Sequence, residues 1–549
     1  MIYVSDMRSR CIPLIFCLFL CVSPAFAAAV IPFTVTMSEA VNVTGSPRII
    51  LNVDGNTRYA VYSAGTGTAS LTFTYSATAG DVDLNGIGIS STSVDLNGGT
   101  VSDLNGNALS NLTFTAPANM GSVNVNYPSL SMDFIADADG RYSVNGTVYN
   151  DFTSFLTAVG GTFLRTTTAT YFDSAGNLQT AASGVPRFDY DPVTHTLKGL
   201  LIEESRVNRI RNSTMQGAVA GTPGTLPTNW SIVYNPAGFS TQVVGTGTEN
   251  GMAYMDFRVY GNTVASEFQL RTDQYTGAGA GQNWTGSMYL KLAGGSTTGI
   301  SQVRSRITWQ QTDGTYITQS VNNVISNLGA TDYYRGIVTA TAPASTGRIS
   351  QELNIVASAT GADITIRIAA PQTELGEFAT SFIPTTTVAV TRAVDTFSMP
   401  TGAWFNATEG ALYAATNPLG VASFYPQIAL FGDGTSANFI AYTLFPSNNF
   451  LEEWKQSSST LFTVNAGVVT AGMTNKVIGV YKSTSSAAVK NGGAPVTSAA
   501  ALGTLPITLF SVGSNLARGG TDGRYSGTIS NLRYYPLRSS NAQLQLLTQ

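Results

Sequence analysis

The chain has 549 residues, of which 11% are charged, 43% are hydrophobic and 55 are glycine, with a formal net charge of −4. Long amphipathic helices need more Glu, Lys, Arg and Leu, and a disordered chain carries fewer aromatic and β-branched residues, so the composition points to a folded, weakly charged β protein. No basic stripe is visible, which argues against nucleic acid as a partner and leaves neutral glycans as the better fit.

At the N-terminus, Arg8 and Arg10 precede an apolar run from Ile12 to Val22, and the small-residue site Ala25-Phe26-Ala27 follows. Residues 1–27 therefore read as a cleaved secretory signal. The run is too short to span a bilayer, so no membrane insertion is expected after cleavage. All three cysteines, Cys11, Cys17 and Cys21, lie in this segment, and the mature chain is expected to rely on buried cores rather than disulfides. Its expected location is secreted, extracellular or at a cell surface.

Residues 28–127 alternate apolar and polar, as in "RIILNVDGNTRYAVYSA" and "ASLTFTYSA". Short strands separated by Gly/Asn turns predict a β-sandwich. The pair "LNVDGNTRYAVY" and "LTFTYSATAGDVDLNGIGI", with "LNGGTVSDLNGNAL" after it, resembles bacterial immunoglobulin-like modules, which implies a stalk or spacer. Asp-Leu-Asn-Gly recurs at Asp83–Gly86, Asp95–Gly98 and Asp103–Gly106. Asn-Gly favours tight turns. The second reading makes Asp81, Asp83, Asn85, Asp103, Asn105 and Asn107 oxygen ligands for Ca²⁺, although no EF-hand glutamate completes a loop.

Residues 128–205 read as a small mixed junction. "DFTSFLTAV", Asp151 to Val159, places Phe152, Phe155 and Leu156 on one face of a predicted short helix. The motifs "RTTTATYFDSAG", "VPRFDYDP" and "GLLIEESRVN" resemble a segment of bacteriophage tail-fibre proteins. The only histidine, His195, stands between Asp189 and Asp191 and the pair Glu203-Glu204. Histidine with flanking carboxylates suits general acid–base chemistry, but no nucleophile elbow, second metal ligand or phosphate-binding loop accompanies it. The segment is therefore expected to be a turn and a buried strand, with no catalytic residue, in which Glu203 or Glu204 pairs with Arg187 or Arg206.

Residues 206–385 alternate again and end in "ADITIRIAAPQTELGEFATSFIPT", where Gln372, Glu374, Gly376, Ser381 and Pro384 are spaced as in jelly-roll carbohydrate-binding modules, which this region resembles. A glycan-binding face needs aromatic platforms with a few placed polar groups, so Trp284, Trp309, Tyr333 and Tyr334 are the candidates. Tryptophan in a sandwich is more often core. Adjacent strand residues face opposite ways, and one ring of Tyr333-Tyr334 is expected to point outward.

Residues 394–549, from "EGALYAATNP" through "AAVKNGGAPV" to "GTISNLRYYPLRSSNAQLQLL", resemble laminin-G or concanavalin A-like domains. A last strand, Ile529 to Tyr535, and a helical turn capped by Ser540 are predicted. Tyr425, Asn438, Trp454 and Arg518 are glycan-binding candidates, and Asp433 in "FGDGTSANF" is the best oxygen donor for Ca²⁺ if the resemblance extends to a metal rim; a bare turn is the equal alternative. The Glu-x-Asp-x-x-Glu pattern of related hydrolases is absent, and the adjacent pairs Glu203-Glu204 and Glu452-Glu453 would face opposite sides.

The expectation is an all-β chain of three β-sandwiches in tandem, immunoglobulin-like, jelly roll and concanavalin A-like, acting as a secreted, non-enzymatic carbohydrate-binding or adhesion protein. Its partners would be glycans or polysaccharide, with other surface proteins second, and Ca²⁺ is the one cofactor considered. The rival readings are a structural, tail-fibre-like surface component and a polysaccharide hydrolase or lyase.

Overall fold

The computed structural model describes residues 30–117, 120–135, 141–261, 266–358, 361–420, 425–445, 449–518 and 524–549. The signal segment and its cysteines lie outside the described residues. The protein is all-β: the described helices are two short α-helices and three single 3-10 turns. No helix among these residues is long and apolar enough to cross a membrane.

The first body is a six-stranded sheet in the order Gly88–Ile89, Arg48–Val53, Asn56–Ala64, Thr68–Ser76, Val30–Thr44 and Thr100–Asp103. Alternation puts Phe33, Val35, Ile49, Leu51, Leu71 and Phe73 into one core. Asp54 and Gly55 both have positive φ between strands ending at Val53 and starting at Asn56, the two-residue turn whose twist suits a hairpin.

Two five-stranded sheets form the jelly roll. One runs Ser231–Tyr234, Glu267–Thr276, Arg348–Ala357, Ile300–Gln310, Tyr316–Asn323; the other runs Phe239–Glu249, Met252–Gly261, Ala362–Leu375, Asn283–Gly295, Tyr334–Thr341. Their inner faces close on Phe257, Phe268, Leu290, Val303, Leu353 and Ile366.

The last sandwich draws on two separated stretches of chain. Its seven-stranded sheet takes Thr162–Leu164 at one edge, paired with Thr396–Pro400. The opposing sheet adds Leu130–Asp133, Tyr142–Val144 and Thr147–Tyr149 beside Gly527–Tyr535, and Leu197–Ile202 also pairs with Gly527–Tyr535. Segment 128–205, expected to be a connector, thus supplies strands to the C-terminal sandwich. The jelly roll interrupts that sandwich, and the strands entering and leaving it, Arg206–Asn208 and Val390–Arg392, pair with each other antiparallel.

At this neck lies a buried ionic cluster. Arg187 bridges Glu203 at 2.9 Å and Asp395 at 2.5 Å, Arg392 reaches Glu203 at 2.9 Å, and Arg165 reaches Asp395 at 2.9 Å. Ser381 donates its N–H and hydroxyl to Glu203 at 2.7 and 2.6 Å. These bonds and the two guanidinium groups outweigh the cost of burial and hold the Glu203 carboxyl down at about 2. Glu204 pairs with Arg206.

Both predicted helices form. Phe152–Val159 starts where the Asp151 carboxylate accepts from the Ser154 N–H at 2.8 Å and ends at Gly160 in the left-handed region, with Phe152 and Phe155 buried. Asn541–Leu547 is capped by Ser540 and buries Leu544 and Leu547. Its Gln543 side chain accepts from the Leu84 N–H at 2.8 Å and donates to Asp83 at 3.4 Å and to Asn85. This contact ties the last sandwich to the first body.

Candidate functional site

Three of the tryptophan and tyrosine assignments are corrected by burial. Trp284 and Trp309 are 2% and 0% exposed in a core with Ile307, Val338 and Ile349. Trp309 also donates to the Ser320 hydroxyl at 3.1 Å, so its polar edge is used internally. Trp454 is wholly buried beside Tyr481 in the last sandwich. None of these rings can stack on an external sugar. Strand alternation that gives one face to solvent gives the other to a core, and large rings fall on the core side.

Tyr333 and Tyr334 also miss the open face. Tyr333 is buried with Phe172, Tyr289 and Phe382, and Tyr334 is half-buried against the jelly-roll core. Both line a cavity at the boundary with segment 170–203.

In the last sandwich Tyr425 is 48% exposed and lines a cavity of about 360 Å³ with Gln427, Phe439, Glu453 and Lys455. Asn438 instead braces a turn, donating to Asp433 at 2.7 Å and accepting from the Ser457 N–H at 2.9 Å. Arg518 ends the 3-10 turn Leu516–Arg518, and its side chain falls outside the described residues.

The Ca²⁺ ligand sets do not assemble. Asp81 is taken up by Arg58 at 2.6 Å, the Tyr75 hydroxyl and Thr78. Asp83 and Asn85 engage Gln543. Asp103 accepts from the N–H groups of Asn105 and Asn107, both at 2.8 Å, as an Asp-initiated turn does. Asp433 accepts from Thr435 and Asn438. Among the described residues no group of three or more His, Cys, Asp or Glu side chains could hold a metal. His195 is exposed at positive φ on a turn in which its N–H donates to the Asp191 carbonyl at 2.9 Å.

A polar array does assemble on the side of the Ile300–Gln310 sheet away from the Val303–Leu353 core, but its centre is closed off from solvent: Arg306, Thr308, Ser350, Glu352 and Asn354 are buried, and Arg304, Gln310, Glu267, Gln269 and Arg271 around them are half-buried. In that strand Val303, Ile307 and Trp309 point to buried cores, so Arg304, Arg306, Thr308 and Gln310 occupy the other face. The same parity puts Ser350, Glu352 and Asn354 of Arg348–Ala357, and Glu267, Gln269 and Arg271 of Glu267–Thr276, beside them.

Arg306 is the hub, 2.6 Å from both Glu267 and Glu352 and 3.0 Å from the Gln269 side-chain oxygen. Glu352 also takes Arg271 at 3.2 Å, Ser350 at 3.1 Å and Thr308 at 3.0 Å. Asn354 donates to Glu267 at 2.9 Å, and its own side-chain oxygen is buried without a partner.

Two exposed rings flank the array on opposite edge strands: Tyr234, 52% exposed and opposite Gln269, and Tyr316, 57% exposed and opposite Gln310. The result is a buried, mutually bonded network under a half-buried polar rim of Gln269, Arg271, Arg304 and Gln310, with an exposed ring at each edge; the rings and the rim, not the hub, are what a ligand with hydroxyls and flat C–H faces can touch.

The sequence carried this signal in the polar members of "VRSRITWQ" and "RISQELNIV", which alternate with the apolar ones.

No protein-family model and no curated protein matches the sequence. Among solved structures the chain is similar to the CBM40 of the Ruminococcus gnavus IT-sialidase bound to α2,3-sialyllactose, at 13% identity over 26% of this chain and 84% of that one, with a TM-score of 0.24. It is similar to domain 4 of the Geobacillus stearothermophilus arabinanase AbnA in complex with arabinotriose, at 15% identity, 32% and 81% coverage and a TM-score of 0.24. A third likeness is to carbohydrate-binding modules of the β-sandwich superfamily, at 14% identity, 47% and 90% coverage and a TM-score of 0.23.

Proposed function

We propose that this is a secreted, non-enzymatic carbohydrate-binding protein, and that the outer face of the jelly-roll sheet is where it engages a glycan chain. The observation that carries the reading is the pair of exposed rings, Tyr234 and Tyr316, on one sheet face, with the half-buried rim of Gln269, Arg271, Arg304 and Gln310 between them and the buried Arg306 network bracing Gln269 and Arg271 from beneath. Half-buried polar groups braced by the network beneath them can meet sugar hydroxyls with little ordering cost, and the two rings offer stacking surfaces at each edge.

A non-catalytic role is supported by what the carboxylates do. Glycoside hydrolysis needs one acid able to give a proton to the glycosidic oxygen and a second carboxylate free to act as base or nucleophile. Glu267 and Glu352 are both committed to guanidinium, hydroxyl and amide donors. The apolar run and small-residue site at the N-terminus support secretion.

The test is a glycan array followed by titration calorimetry on the best neutral polysaccharide, with Tyr234→Ala and Tyr316→Ala. Each exposed ring is expected to contribute about 0.5 to 1.5 kcal/mol, a loss of roughly twofold to tenfold per substitution. Undiminished affinity in the folded double variant would remove this face from the reading, and release of reducing sugar by the wild type would replace binding with catalysis.

A further inference from the structure

The jelly roll and the hairpins of segment 170–203 face each other across a cavity of about 310 Å³, at the small end of ligand pockets, which run from about 300 to 1,000 Å³. Phe172, Leu178 and Val193 line it from the hairpins, and Tyr289, Tyr334 and Phe382 line it from the jelly roll, so neither body forms it alone. Val193 and Leu419, 50% and 37% exposed, mark where it opens to solvent. Leu178 and Tyr334 are half-buried on its walls.

The polar side chains of this lining are largely spent inside the protein. The Thr380 hydroxyl donates to Glu374 at 2.7 Å, the Ser381 hydroxyl to Glu203 at 2.6 Å, and the Thr170 hydroxyl to the Phe382 carbonyl. Asp189 is paired with Lys198 at 2.5 Å, and Glu203 with Arg187 and Arg392. Arg335 donates to the Ser287 hydroxyl at 3.0 Å and the Thr380 carbonyl at 2.7 Å, and its guanidinium lies 5.3 Å from the Tyr289 ring centroid. The Tyr333 hydroxyl is buried, which leaves that ring only carbon to offer a guest.

This pattern selects the guest. A sugar or an ion that gave up its water here would regain few hydrogen bonds and no free counter-charge, a net cost. Carbon surface loses nothing by the same transfer. The walls also favour one kind of carbon surface: Phe172 meets Tyr289 with ring centroids 6.1 Å apart and planes at 61°, and Tyr289 meets Tyr333 at 6.3 Å and 87°. Rings set at steep angles present both faces and edges, and an added ring gains from offset or edge-to-face contact beyond the area it buries.

We propose that this cavity is a binding site for an uncharged aromatic group, one ring or two fused rings in size. The site is separate from the sheet face between Tyr234 and Tyr316 and takes a guest of opposite character. Because both bodies supply its walls, the guest also stabilises their docked arrangement.

The experiment is calorimetry on the full chain with 2-naphthol, its anionic analogue 2-naphthoate, its saturated analogue decahydro-2-naphthol, and galactose. The neutral ring is expected to bind about tenfold more tightly than the anion, because no lining cation is free, and about threefold more tightly than the saturated skeleton, with no competition from galactose. Tyr334→Ala is expected to weaken 2-naphthol about threefold to tenfold and Tyr334→Phe to retain it, since the ring and not the hydroxyl does the binding. Val193→Asp, on an exposed turn where the fold tolerates it, puts a charge at the mouth and is expected to weaken 2-naphthol to a similar degree. The Tyr234→Ala/Tyr316→Ala double variant is expected to bind the ring as the wild type does. The absence of saturable 2-naphthol binding, equal affinity for the anion or the saturated analogue, unchanged affinity in both Tyr334→Ala and Val193→Asp, or loss of binding in the double variant would each overturn the assignment.

Discussion

Replacing Glu203 by Gln tests whether the neck of the inserted jelly roll is held by charge. The side chain is fully buried between Arg187 and Arg392, each at 2.9 Å, and accepts twice from Ser381. Glutamine keeps the shape and one acceptor but leaves Arg165, Arg187 and Arg392 facing Asp395 alone. Breaking a buried pair by removing one partner costs about 3 to 5 kcal/mol. The proton linkage gives a similar figure. A carboxyl lowered from 4.5 to about 2 on folding corresponds to roughly 3 kcal/mol, on the order of 1.4 kcal/mol per pH unit.

Because the folded value is the lower one, this stability is present above about pH 4.5 and is lost as pH falls toward 2. The assay is urea unfolding followed by tryptophan fluorescence, which reports on the jelly roll and the last sandwich because residues 28–127 contain no tryptophan. The wild type should lose stability between pH 4.5 and 2 more steeply than Glu203→Gln, and the variant should be weaker by about 3 kcal/mol at pH 7. A loss below about 1 kcal/mol at pH 7, the size of a surface pair, would refute the reasoning.

Glu452 behaves oppositely: burial pushes its carboxyl well above the ordinary range, with the Val480 N–H at 2.9 Å as partial compensation. Its contribution is present below about pH 4.5 and declines as pH rises, so Glu452→Gln should gain in melting temperature relative to wild type between pH 5 and 8. Trp309→Ala should cost about 3 to 5 kcal/mol in chemical denaturation, whereas Tyr316→Ala on the same hairpin should stay within about 0.5 kcal/mol; comparable losses would contradict the assignment of one ring to the core and the other to the face. Gln543→Ala removes the bonds to Leu84, Asp83 and Asn85, and limited proteolysis should then release the first body faster.

Local features were legible because their causes are local. Asp151 and Ser540 cap helices with their own side chains, Asp54-Gly55 turns a hairpin through backbone freedom, and the Asp-Leu-Asn-Gly turns at Asp95 and Asp103 bond within a few residues. The ion pairs of Glu203 with Arg187 and Glu204 with Arg206 could be anticipated from charge and proximity in the chain. The roles of the aromatic residues could not. Trp284 and Tyr334 sit in equally plausible strands, and only the packing of one sheet on another decides which side of a strand is core.

By itself, then, the sequence determined the all-β character, the turns, the helix caps and the alternation that makes every strand two-faced, since each depends on residues a few positions apart. Tertiary structure alone decided that segment 128–205 joins the C-terminal sandwich, that Arg306 gathers Glu267 and Glu352 onto one face, and that Tyr333 and Arg335 meet Asp189 and Lys198 around a cavity. Those groupings join residues far apart in the chain through strand order and sheet packing, and no local pattern encodes the order in which strands pair.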